Sequence, residues 1–60
     1  MGERAEACRR RANDCEQAAT RVKDPEVRMV YLEIAARWRR MAEQQEVIDD
    51  VLENLRTREQ

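Results

Sequence analysis

Histidine and phenylalanine are absent from this 60-residue chain; glycine and proline occur once each, cysteine twice, and Tyr31 and Trp38 are the only aromatics. Without histidine, the commonest general base and the commonest metal ligand are missing. Cys8 and Cys15 stand in a Cys-x6-Cys spacing, which is not that of a zinc site. On one helix their Cα atoms lie about 10 Å apart, beyond disulfide reach. No serine-centred motif and no glycine-rich phosphate loop occur. These shortages predict a protein without catalytic activity, cofactor or metal. No apolar run approaches the roughly 18 residues of a membrane span, and the opening MGERAEACRRR lacks the apolar core of a signal peptide. Gly2 does not signal myristoylation, because Glu6 stands where Ser or Thr is required. With two unpaired cysteines, the expected setting is a reducing cytoplasm, away from the membrane. A charge excess is lacking too. Acidic and basic residues number 13 and 12, whereas a dedicated nucleic-acid binder is normally clearly basic.

What is present is periodicity. Charged residues make up 42% of the chain, a helical and coiled-coil-like composition. From Val27 to Leu55 the seam Val27, Tyr31, Ile34, Trp38, Met41, Gln45, Ile48, Leu52, Leu55 alternates steps of four and three, with Gln45 its one polar member. That is the coiled-coil period, and a strand would need alternation every second residue. Earlier in the chain Ala5, Cys8, Ala12, Cys15, Ala19 and Val22 repeat the pattern with mostly small residues. Such a helix buries little by itself, but small residues let a bulky partner helix approach closely. Between the two, Asp24-Pro25-Glu26 reads as N-cap and first turn: Asp24 accepts the orphan N–H bonds, Pro25 is preset for N1, and Glu26 complements the positive helix end. Proline also disfavours helical geometry at Asp24, so the first helix stops before it. A connection this short makes the helices antiparallel neighbours.

The expected fold is therefore all-α. It is a single helical-hairpin domain over 1–60, with helices at about 3–23 and 25–57. The predicted hairpin core is Cys8, Ala12, Cys15 and Ala19 against Tyr31, Ile34, Trp38 and Met41, with Ala12 opposite Trp38. At 1.5 Å per residue the helices span about 30 and 50 Å, so the segment 46–57 overhangs. Its apolar residues Val47, Ile48, Val51, Leu52 and Leu55 predict an oligomer interface, since a solvated overhang would be an unexplained patch. Sixty residues point the same way. Ordering each costs about 1.5 kcal/mol, which apolar burial in so short a chain barely offsets. Chains of this size lean on disulfides, metals or a partner, and here a partner remains. A homodimeric four-helix arrangement follows as the expectation.

Two further features suggest chemistry. Arg9, Arg10 and Arg11 fall, in a hairpin, level with Arg37, Arg39 and Arg40, a candidate belt for phosphate or a nucleic-acid backbone. Glu6, Asp14, Glu33 and Glu43 stand about one turn from an arginine and would neutralise such a belt. Cys8 and Cys15 read first as small buried hydrophobes and second as redox-active thiols, with the Arg9–Arg11 charge as the one activating feature. Gln45 either sets register or marks where the hairpin core ends.

The strings CRRRANDCEQAA and DPEVRMVYLEIAARWRRMAEQQE resemble a group of short alphaproteobacterial proteins of the rhizobial type. Their pattern runs Cys-Arg-x-Arg-Ala-x-x-Cys, then Asp-Pro, then aromatic-Leu-x-x-Ala-x-x-Trp-x-x-Leu-Ala-Glu. The match covers Cys8 to Glu46, with Met41 in place of the last leucine. The resemblance implies a bacterial source and a small size and carries no mechanism. Taken together, these observations predict a small interaction or regulatory protein. Nucleic-acid association through the arginines, and thiol-based redox sensing, are the alternatives.

Overall fold

In the computed structural model, which describes residues 2–59, two helices account for nearly all of the chain. Helix α1 covers Glu3–Arg21 and α2 covers Pro25–Glu59. They pack against each other, and no strand occurs among the described residues. The expected helical hairpin is the fold.

The reversal takes three residues. Val22 turns extended (φ −89°, ψ 131°), its N–H donating to the Ala19 carbonyl at 3.4 Å. That change of direction ends α1 at Arg21, two residues before the expected stop. Asp24 then caps α2 as its chemistry requires. Its Oδ1 accepts the Glu26 N–H at 2.9 Å, while its carbonyl accepts the Arg28 N–H at 3.0 Å and opens the helix ladder. Arg28 reaches back, its guanidinium donating to the Val22 carbonyl at 2.8 Å, so the connection is tied from both sides. At the far end α1 starts from Gly2 in left-handed geometry (φ 86°), which glycine adopts without a Cβ penalty. Its carbonyl accepts the Glu6 N–H at 2.9 Å. Helix α2 runs two residues past the expected end.

The core is made of methyl groups. Among the described residues, the buried ones are Ala5, Ala12 and Ala19 on α1 and Ala35 and Ala42 on α2. Each row advances by seven, so two heptad rows of alanine nest against each other. The predicted seam of α2 is corrected in one respect. Ile34 and Met41 are not core residues: they are 37% and 48% exposed, and Ala35 and Ala42, one position further on, face α1 instead. Ala12 and Ala19 are buried as expected, while Cys8, Cys15, Tyr31 and Trp38 are half-buried at the margin. One position corresponds to about 100° of helix rotation. Small residues facing small residues bring the helix axes closest together. Dispersion contacts between closely packed backbones then replace side-chain bulk. The result is a thin rod: its Cα radius of gyration is 15.5 Å, against about 10 Å for a compact chain of this length.

Candidate association surface

The alanine seam has two edges, and ion pairs tell them apart. Arg39 pairs with Glu16 and also donates to Asn13 Oδ1 at 3.4 Å; Arg9 pairs with Glu46. Positions 9 and 16 therefore share one edge of the hairpin with 39 and 46. Positions 8 and 15, and 38 and 45, flank the alanines on the other side and must share the opposite edge. Along that second edge Cys8, Cys15, Ala18 and Val22 on α1, and Tyr31, Trp38 and Gln45 on α2, are half-buried. One edge is a polar clasp, the other is apolar.

Beyond Tyr31 and Trp38, further round α2, lies the row that sequence periodicity placed in the core. Val27, Ile34, Met41, Ile48 and Leu55 repeat every seven residues and are all exposed, as are Val30 and Val51 beside them. Leu52 continues the Tyr31–Trp38–Gln45 row and is also exposed. Together these residues make a continuous apolar strip along most of the 35-residue α2. Among the described residues, the eleven large hydrophobic residues with high exposure all belong to this helix.

The overhang is shorter than expected. Gly2 and Arg4, at the start of α1, line an open cleft with Gln45, Ile48, Asp49 and Leu52. Ile48 and Leu52 thus sit beside the end of α1, not beyond it, yet each stays about half exposed because a helix beginning with Gly2-Glu3-Arg4 has no bulk to cover them. Val47, Val51 and Leu55 are exposed as well. Gln45 lies where the alanine seam gives out and donates to Asp49 Oδ1 at 3.1 Å, satisfying part of its amide within α2.

The six arginines do not form one belt. Arg9 and Arg39 are engaged in the clasp. Arg10 and Arg11 lie about 100° and 200° round α1 from Arg9, and Arg37 and Arg40 lie on the outer side of α2, beside Glu33. They share a height but not a face. Both cysteines are free thiols on the apolar edge, one heptad apart. Among the described residues no cluster of three or more metal-ligating side chains occurs, and no helix is long and apolar enough to cross a membrane.

Ala35 and Ala42 are core residues outside the large-residue seam of α2. The available signal was the shared seven-residue alanine spacing, 5-12-19 in one helix and 35-42 in the other. Comparison with protein-family models, curated proteins and solved structures finds no match to this chain.

Proposed function

We propose that the protein is a small, non-catalytic interaction or regulatory protein whose working form is an assembly, with a second copy of itself as the first partner. One observation carries the reading: among the described residues the buried core consists of five alanines, while eleven large hydrophobic residues of α2 are exposed. A methyl core cannot offset the entropy of ordering two helices, since burial contributes only about 25 cal/mol per Å² of apolar surface. Most of the apolar area is on the outside: eight of these residues (Val27, Val30, Ile34, Met41, Ile48, Val51, Leu52 and Leu55) lie along the strip, which needs a partner to become buried.

The scattered arginines give no comparable support to a phosphate-binding role. A cytoplasmic setting belongs to the same proposal and is supported by the two free thiols.

Sedimentation equilibrium at micromolar concentration tests it. The expected result is a species of at least twice the 7.2 kDa chain mass. A stably helical monomer, unchanged on dilution, would remove the basis of the proposal.

A further inference from the structure

We infer that two copies associate through the apolar strip with their α2 helices antiparallel, the two-fold axis passing between Gln44 and Gln45. This rests on the self-association proposed above and adds the surface, direction and register.

Area selects the class of partner. The chain exposes 5349 Å², whereas a compact protein of this mass exposes about 4,100 Å². The excess, about 1,200 Å² per chain, is what each subunit of an obligate homodimer contributes to its interface. Spacing then makes the strip complementary to itself. The row Ile34, Met41, Ile48, Leu55 has its midpoint between residues 44 and 45. An antiparallel pair centred there sets Ile34 beside Leu55 of the second copy, and Met41 beside its Ile48. Trp38 falls level with Val51 of the second copy. The two polar residues near the strip's centre, Gln44 and Gln45, come opposite each other at the axis, where amide side chains donate and accept mutually and penalise other registers.

Charge decides direction. Arg37 and Arg40, outside the clasp, stand on the N-terminal side of the midpoint, and Asp49 and Glu53 on the C-terminal side. Antiparallel pairing brings the arginine segment level with the acidic segment of the second copy. Parallel pairing would set arginine beside arginine and acid beside acid, within the roughly 8–10 Å over which charges interact at ordinary ionic strength.

The test uses the full chain with Cys8→Ala and Cys15→Ala, divided into an Ile34→Cys version and a Leu55→Cys version. Identical positions 34 stand about 30 Å apart in the antiparallel dimer. Each version alone should therefore stay reduced under mild oxidation, and an equimolar mixture should cross-link. Cross-linking of each version alone would mean a parallel pair. A dimeric mass without any cross-link would mean a different surface, sinking this inference while leaving self-association intact; a monomeric mass would sink both. Should the cysteine variants not fold, Met41→Lys and Ile48→Glu serve instead. Each alone should lose the dimeric mass and much of its helicity, and mixing should restore both, because the new lysine and glutamate meet only across an antiparallel axis. No recovery on mixing would overturn the register.

Discussion

Alanine 12 is fully buried, with no accessible surface, and its methyl group determines how near α1 and α2 can come. Replacing it with leucine adds three carbon atoms to a seam that has no room for them. Ala12→Leu should therefore lower stability by about 1–3 kcal/mol, read as a drop in the thermal midpoint. Ala42→Leu should behave alike, because Ala42 belongs to the facing row. Ala7 is exposed on α1, and Ala7→Leu should stay within about 0.5 kcal/mol of the parent. Equal effects at positions 7 and 12 would contradict the alanine seam. Asp24 offers a second test at this scale. Its carboxylate accepts the Glu26 N–H at the start of α2, so Asp24→Ala should cost about 0.5–2 kcal/mol, measured by urea unfolding.

Each helix presents distinct edges, and their contributions differ. The clasp of Arg9 with Glu46 and Arg39 with Glu16 joins α1 to α2, but the partners are about half exposed to solvent. Exposed pairs of this kind contribute roughly 0–1 kcal/mol and weaken with salt. A double-mutant cycle on Arg39→Ala and Glu16→Ala should give a coupling energy below about 1 kcal/mol, reduced further at 1 M salt. A coupling of several kcal/mol would show the clasp to be a main source of stability. The expectation here is that it sets which edge of the hairpin is polar, and so which edge is left for association. Helix α2 carries two heptad rows about 100° apart, alanine on one and Ile34, Met41, Ile48 and Leu55 on the other. One row meets α1. The other is available to a partner.

For the whole molecule, an alanine-cored rod with its aliphatic strip exposed ties stability to concentration. If the assembled form is the folded form, mass action makes the thermal midpoint fall on dilution. Circular dichroism across a hundredfold range of concentration should show that fall, along with lower helicity at the dilute end. A midpoint independent of concentration would point to a hairpin stable by itself. Met41→Glu, placing a charge at the middle of the exposed row, should mimic dilution. It should leave little helix at micromolar concentration, although Met41 is not part of the alanine seam. That response would separate a residue buried between chains from one buried within the hairpin.

Much of this was legible in the residues themselves. Both helices, the break at Asp24-Pro25 and the antiparallel hairpin follow from local rules: a period of three and four, a capping carboxylate, and a ring that cannot continue a helix. The seam of α1 was equally plain, since its one small-residue stripe had no competitor. In α2 the sequence alone left two rows overlapping, because Tyr31, Trp38 and Gln45 belong to both. Hydrophobic size favoured the row through Ile34 and Met41, yet Ala35 and Ala42 face α1. How closely two helix axes approach is a property of the pair, and alanine meeting alanine allows the nearest approach. That preference exists only when both helices are present, so the tertiary structure alone decided which face of α2 was spent on the hairpin and which was left exposed.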